Sequence, residues 1–259
     1  MRARGGFTLV ELLVTVGVIA LLLSITIPAL RGVRWRAQET AELSHQRQSG
    51  LALFAYADDH AGAFPYFGIP GTDFAPLKYH DGPFKGQWEG SPWFPTEYGH
   101  HWEQVWAWAY WIKGLGYTEA DTAITYSTGE RHVVAPLSGY GRALDVMTGA
   151  AIVRPSFLAL NGPRRIEDHQ GQRMQHVAYP SKKGVLRREN YLRYRATGWE
   201  TLGPQIGRIP VYVWFADGHS GMHAPDTMLP GITDGISETW PPPTGSVFTT
   251  IDGIHGRDL

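Results

Sequence analysis

The residues best placed to do chemistry lie within the first dozen positions of the chain. Two arginines precede Gly5 and Gly6, Phe7 opens a long apolar run, and Glu11 is the one charged residue between the glycines and Arg31. A charged side chain in an apolar membrane segment costs roughly 2.5–3.5 kcal/mol on insertion scales, so such an acid is expected to be functional. The pattern therefore predicts a functional carboxylate at Glu11.

The stretch Gly6-Phe7-Thr8-Leu9-Val10-Glu11-Leu12 resembles the N-terminal signal of type IV prepilins and type II secretion pseudopilins. The resemblance implies that a prepilin peptidase cuts after Gly6, that the new amine of Phe7 is methylated, and that Glu11 is used in filament assembly. The implied partners are the prepilin peptidase, other pilin or pseudopilin subunits, an inner-membrane assembly platform and membrane lipid.

The apolar run is long enough to cross a membrane. Leu12 to Leu30 is a stretch of 19 residues without a charge, close to the ~20 that a spanning helix needs. Pro28 is expected to loosen or bend its end. A secretory signal peptide is the alternative, but its apolar core would be about 7–15 residues long and followed by a small-x-small cleavage site. This run is longer, contains Glu11, and is followed by no Ala-x-Ala.

Charge gives a divided signal on orientation. Arg2 and Arg4 favour a cytoplasmic N-terminus, whereas Arg31, Arg34 and Arg36 follow the span closely and favour the reverse. The resemblance decides between them, because the prepilin peptidase works from the cytoplasmic side. The expected protein is a single-pass inner-membrane protein with a periplasmic head, assembled into a periplasmic or extracellular filament.

The predicted organisation has four parts. They are a leader peptide over residues 1–6, a transmembrane helix over 7–30, an amphipathic continuation of that helix over 31–60, and a periplasmic globular head over 61–259. The continuation lacks proline and is rich in Ala, Glu, Gln, Arg and Leu, which favour helix. It is expected to end before Ala61-Gly62-Ala63-Phe64-Pro65, a segment that resembles the helix exit of pseudopilin-like proteins.

The second half of the head predicts an antiparallel sheet. Strand candidates are 183–186 and 211–216, and the pair Asp217-Gly218 after the second is a strong hairpin signal. Tyr212, Trp214 and Ala216 would share one face of that strand, with the alternate residues on the other. The expected fold class is α+β and pilin-like, a long N-terminal helix packed against an antiparallel β-sheet head with a Trp-rich insertion.

Two short motifs in this half add a second resemblance. Pro180-Ser181 with Val185-Leu186, and Phe215-Ala216-Asp217-Gly218-His219, are similar to the C-terminal sheet of a large pseudopilin-like group. Many members of that group carry a histidine ten residues before this aspartate. Gly207 occupies that position here, so the chain departs from the pattern of the subgroup.

Tryptophan is concentrated before the sheet. Six of the ten tryptophans fall within 88–111, and residues 101–114 read as a helix with Trp102, Trp106, Ala109 and Ile112 on one face. The cluster is either an aromatic core over the long helix or a binding platform. The leading function is a structural filament subunit. The alternative is a filament-tip or membrane-anchored binding module whose Trp-rich head recognises a polysaccharide or an export substrate.

Metal and cofactor sites are few. Asp217, Asp226, Asp234 and Asp252 lie in Gly- and Pro-rich loops and are candidate calcium ligands, since calcium takes carboxylate and carbonyl oxygens. Plain Asp-Gly turns are the alternative. His219 and His223 would lie about 13 Å apart on a strand, too far to share one ion. No other cofactor is expected.

Composition and motifs narrow the remaining functions. No Gly-x-Ser-x-Gly, His-Glu-x-x-His or phosphate loop is present, so we expect no enzyme; a membrane-anchored hydrolase stays the alternative that turnover by the head would revive. The formal net charge of −1 gives no basic surplus for nucleic acid. The absence of cysteine excludes disulfides and thiolate metal sites.

Overall fold

A computed structural model describes residues 8–66, 70–71, 105, 108, 112, 115–117, 145–160, 165–188, 210–231, 247 and 249–259. By internal contacts the chain divides into two units, residues 1–41 and residues 42–259.

One long helix dominates the N-terminal part. Helix α1 runs from Leu9 to Asp59 and continues through Pro28. Its end confirms the predicted stop. The backbone N–H of Gly62 bonds to the carbonyl of Ala57 at 2.7 Å, and Gly62 has a φ of +78°. Glycine suits this left-handed position because it has no Cβ to clash, which is why helices often end in this way.

The head contains a four-stranded antiparallel sheet, which confirms the predicted α+β class. The strands are β1 (Asp145–Met147), β2 (Gly184–Arg188), β3 (Val211–Phe215) and β4 (Ser220–His223), in the spatial order β1-β2-β3-β4. Short 3-10 turns connect parts of the head, at Gly149–Ala151, Pro155–Leu158, Ile166–Asp168, Met174–His176, Pro225–Thr227 and Gly253–His255. The sequence did not predict β1.

Strand β3 is buried on both faces, as its unbroken apolar sequence predicts. Trp214 belongs to the larger core cluster, which includes helix residues such as Leu53. Val211, Val213 and Phe215 belong to a second cluster on the other face. Gly218, with a φ of +90°, turns the chain into β4. The predicted hairpin and its alternation of faces are confirmed.

Within residues 42–259 the C-terminal part of α1 packs closely on the sheet. A Cβ added at Gly50 would overlap the indole of Trp214, and the ring of Phe54 meets that indole edge-on at 4.3 Å between centroids. The side-chain amide of Gln46 donates to the carbonyl of Tyr212 at 2.9 Å. The smallest residue of this stretch thus admits the largest side chain of β3, and a hydrogen bond to the strand backbone fixes the register.

A buried charge network joins α1 to two strands. Arg188 of β2 donates from Nε and Nη2 to the two carboxylate oxygens of Asp145 in β1 at 2.8 and 2.5 Å, and from Nη1 to Glu42 of α1 at 2.9 Å. Ser49 of α1 donates to the same aspartate at 2.5 Å. All three charged residues are at most 1% exposed. Burial alone lowers the pKa of Arg188, but the two carboxylates outweigh it and raise that pKa.

A second buried ion pair fastens the C-terminal segment. Asp258 accepts hydrogen bonds from the backbone N–H groups of Gly184 and Val247 at 2.9 and 2.8 Å, and it lies 3.3 Å from the ammonium of Lys183. Thr250 bonds to both members of the pair. Burial lowers the pKa of Lys183, and the aspartate opposes that shift. The last residues of the chain are therefore held against the start of β2.

Most of the Trp-rich insertion lies outside the described residues, as do Trp102, Trp106 and Ala109 of the predicted helical face. Val105, Trp108 and Ile112 are described, helical and fully buried. The indole N–H of Trp108 donates to the backbone carbonyl of Asp145 at 2.8 Å. This tryptophan is a core residue beside the charge network and does not form part of an exposed platform.

We predict that Arg188→Met destabilises the full-length protein in detergent by ~3–5 kcal/mol, because it leaves two buried carboxylates without a cation. Adding Glu42→Gln should recover part of that loss, since one unpaired charge disappears. Denaturant unfolding followed by tryptophan fluorescence measures both effects. The matched control is Arg257→Met, an exposed arginine. Equal stability of Arg188→Met and this control would contradict a structural role for the network.

We also predict that stability decreases as the pH falls below about 6.5. Burial, and then the nearby Arg188, lower the pKa of His45, whose buried Nδ1 has no hydrogen-bond partner among the described residues. The unfolded chain therefore binds the His45 proton more tightly than the folded chain, so acid favours unfolding. His45→Gln should flatten the pH dependence of the melting temperature below about pH 6.5. His176→Gln, at an exposed site, should leave that slope unchanged; a similar flattening by both would refute the assignment.

Candidate functional site

The first residues of α1 are organised around Glu11. One carboxylate oxygen, Oε2, accepts hydrogen bonds from the backbone N–H and the hydroxyl of Thr8, both at 2.9 Å. In return the hydroxyl of Thr8 accepts from the backbone N–H of Glu11 at 3.2 Å. This reciprocal arrangement is a capping box, which satisfies N–H groups that the first turn of a helix leaves unpaired. The sequence signal for it is the spacing Thr-x-x-Glu.

The capping box gives Glu11 a local role and leaves it able to bind a cation. An ionised carboxylate has about four acceptor positions, and the two bonds that Thr8 donates to it both end on Oε2. A negative side chain is also favoured at this end of a helix, because the N-terminus carries the positive end of the helix dipole. The site can therefore take an ammonium group as a further partner. Gly6 and Phe7 lie outside the described residues.

The other polar side chains of the apolar run bond to the helix itself. Thr15 donates to the carbonyl of Glu11 at 2.6 Å, Ser24 to that of Leu21 at 2.7 Å, and Thr26 to that of Leu22 at 3.0 Å. Hydroxyls that bond within their own helix need no water. Apart from Glu11, this part of the helix presents hydrocarbon to its surroundings.

From Leu9 onward the large side chains of the apolar run are exposed. An 18-residue window of α1 has a mean hydropathy of 2.5 and none of it is buried. The helix is thus long and apolar enough to cross a membrane by length and composition. Its large exposed apolar residues between the capping box and the first arginine are Leu9, Val10, Leu12, Leu13, Val14, Val16, Val18, Ile19, Leu21, Leu22, Leu23, Ile25, Ile27 and Leu30. Contiguous apolar surface of this extent marks a membrane or protein contact.

The candidate calcium ligands do not form a cluster where the structure describes them. Asp217 bonds to Nδ1 of His219 at 2.6 Å, Asp226 is exposed, and Asp252 precedes a 3-10 turn in a left-handed conformation. Asp234 lies outside the described residues. In the described part of the chain, no three His, Asp or Glu side chains form a group that could hold a metal ion.

The two histidines of the hairpin share an aromatic partner that the sequence did not suggest. The ring of His219 stacks on Phe215 at 4.3 Å between centroids, and His223 meets the same ring edge-on at 5.3 Å. Burial, and then His219, lower the pKa of His223. The cluster holds the β3–β4 hairpin together through packing.

Comparison with known proteins identifies the N-terminal segment. Residues 1–27 match the family model described as the prokaryotic N-terminal methylation motif. Comparison of the chain with curated proteins and with solved structures gave no match. The match spans the capping box, Glu11 and most of the apolar run, and the described structure places all of these on one exposed helix. The chain therefore carries the N-terminal methylation signal of type IV pilins and pseudopilins.

Proposed function

We propose that the protein is a structural subunit, pseudopilin or pilin-like, of a type II secretion or type IV pilus filament. The observation that carries the proposal is the continuity of the methylation signal with an exposed apolar helix. A monomeric soluble protein rarely leaves so much apolar surface uncovered. In a filament subunit this apolar surface would be covered in both states, by lipid before assembly and by the helices of other subunits afterwards.

Processing comes first in the proposed sequence of events. A prepilin peptidase cuts after Gly6 and the new amine of Phe7 is methylated. The two small residues Gly5 and Gly6 let the peptidase approach the bond. The leader carries Arg2 and Arg4, which stay on the cytoplasmic side, so the head is periplasmic and the protein crosses the inner membrane once.

Assembly then depends on Glu11. Its carboxylate lies four residues past the new amine of Phe7, about 6 Å along a helix at 1.5 Å per residue. An incoming subunit can bring its own amine to the Glu11 of the subunit already in place. Methylation keeps the positive charge of that amine, so the pairing survives processing. The pair would offset the free-energy cost of an unpaired carboxylate in lipid, and it would select one axial register between subunits.

The free subunit has an internal partner for the same carboxylate. While the subunit waits in the membrane, the backbone N–H and hydroxyl of Thr8 satisfy part of the Glu11 carboxylate. Glu11 is therefore not an orphaned charge before assembly, and the amine of the next subunit adds a cation to a preformed acceptor. The proposed role is structural, with other subunits, the peptidase, the assembly platform and lipid as partners.

The processing step gives a direct prediction. Mature protein from the native host should begin at a methylated Phe7, as read by N-terminal mass spectrometry. Gly6→Leu should abolish cleavage, because a bulky side chain would block the peptidase at the bond. Gly17→Ala is the matched control, since a Cβ there meets nothing within 4 Å. A mature N-terminus at Met1, or one beyond Leu30, would end the prepilin assignment.

The assembly step gives a second prediction. Glu11→Ala should leave insertion and cleavage intact, while incorporation into filaments fails, because breaking a buried pair by removing one partner typically costs ~3–5 kcal/mol. Fractionation of the native host into membrane and filament pools measures it. Glu39→Ala, at an acid of the same helix beyond the apolar run, should assemble like the parent. Cleaved Glu11→Ala protein entering filaments at parental levels would remove the assembly role.

A further inference from the structure

A basic cluster follows the apolar run directly. Arg31, Arg34 and Arg36 have exposed side chains, and Trp35 between them is half-buried. In the described ranges none of the three guanidinium groups has an ion pair with a carboxylate. The nearest acid along the helix, Glu39, accepts a hydrogen bond from the indole of Trp35 at 2.9 Å. Three cations are thus grouped in one short stretch, and no described carboxylate forms an ion pair with them.

The position of the cluster matches the headgroup layer of a bilayer. At 1.5 Å per residue, Arg31, Arg34 and Arg36 lie about 1.5, 6 and 9 Å beyond Leu30 along the helix. The polar layer on each side of the hydrocarbon core is about 5–7 Å thick. Side chains on a helix lean toward its N-terminus, which here is the direction of the bilayer. All three guanidinium groups can therefore reach the depth of lipid phosphates.

The chemistry of the cluster fits an anionic headgroup. A guanidinium presents a planar fork of donors that matches two phosphate oxygens. Arg31, Arg34 and Trp35 stand at i, i+3 and i+4 and so share one face of the helix. Tryptophan is enriched at membrane interfaces, where its ring sits at headgroup level. The cluster combines a phosphate-binding pair with an interfacial aromatic.

The three arginines lie on the side of the membrane where arginines next to a span are less common. Arginines close to a span are normally concentrated on its cytoplasmic side, and with the orientation proposed above these three lie on the opposite side. An anion bound on that side would neutralise part of the positive charge of the three arginines. Phosphodiester headgroups are present at this depth for every subunit in the membrane, whether or not a neighbouring subunit is there.

We propose that Arg31, Arg34 and Arg36, with Trp35, form a binding site for anionic phospholipid headgroups at the non-cytoplasmic face of the membrane. The inference rests on the membrane span of the proposed function. The site sets the depth of the waiting subunit in the bilayer and holds it there. The subunit must leave these lipids when it enters a filament, so the site opposes premature extraction.

The test uses the full-length protein in nanodiscs that contain equal amounts of phosphatidylglycerol and phosphatidylcholine. Native mass spectrometry after release counts the lipids that each variant retains. The parent should retain phosphatidylglycerol in preference to phosphatidylcholine, and the preference should weaken as salt is raised. Each Arg→Gln change should reduce it, on the order of fivefold per arginine. Arg31→Lys/Arg34→Lys/Arg36→Lys should retain part of it, because the charge remains and the bidentate fork is lost.

Controls separate this site from other basic groups. Arg47→Gln changes an exposed arginine 11 positions beyond Arg36, about 16 Å farther along the helix, and should keep the parental preference. Where the leader is still attached, its arginines are the same in every variant and do not affect the comparison between variants. Equal retention of both lipids by the parent would overturn the proposal, and so would an unchanged preference in the triple Gln variant. The first result would instead favour carboxylates of a neighbouring subunit as the partner.

The failure of this inference is distinguishable from failure of the proposed function. The same nanodisc samples report membrane integration, and N-terminal mass spectrometry reports processing. Protein that is cut before Phe7 and integrated, but shows no lipid preference, refutes the lipid site alone. Protein that does not enter the bilayer refutes the membrane anchor on which the inference rests.

Discussion

The buried contact of Arg188 with Glu42 and Asp145 is the interaction on which the rest of the head depends. It ties one helix and two strands together at a point that water does not reach. Removing one member of such a network is costly, whereas replacing the whole set by well-packed apolar residues is often neutral, so we assign the network a role in specifying the fold rather than in adding net stability. Its contribution is register, because the three hydrogen bonds of the guanidinium to Asp145 and Glu42 require this placement of β1 and of the helix. The fit of Trp214 over Gly50 requires that same placement.

The surroundings of the long helix change at Glu42, its first buried residue. From Glu42 onward the helix contributes buried residues such as Gln46, Ser49 and Leu53 to the head. Before that point its large aliphatic side chains are exposed. The described part of the methylation signal, residues 8–27, lies in the exposed part. A chain built in this way has one folded head and one exposed apolar helix surface, which fits a membrane-anchored, pilin-like protein.

Much of this architecture could be predicted from the sequence because the spacing of the apolar residues determines it. The membrane-length helix, strand β3 and its Asp-Gly turn all follow from runs of apolar residues and from turn chemistry. Strand β1 was missed because three residues beginning with an aspartate show no strand period. The burial of Arg188 and Lys183 was missed because long cationic side chains are normally exposed. Only the fold shows which carboxylates are buried beside them. Thr8 was missed as a capping partner, although Thr8 and Glu11 have the Thr-x-x-Glu spacing of a capping box. The aspartates proposed for calcium are grouped by loop composition, which does not say which loops meet in space.

These contacts imply that the helix from residue 42 onward forms one cooperative unit with the sheet. Native-state hydrogen exchange of the full-length protein in detergent, measured as a function of denaturant, tests it most directly, because amides that open only with global unfolding share one free energy. We expect the amides of residues 46–57 to exchange with the same free energy and denaturant dependence as those of β2 and β3. Exchange of that stretch orders of magnitude faster than the strands, as in a helix that frays independently, would contradict it.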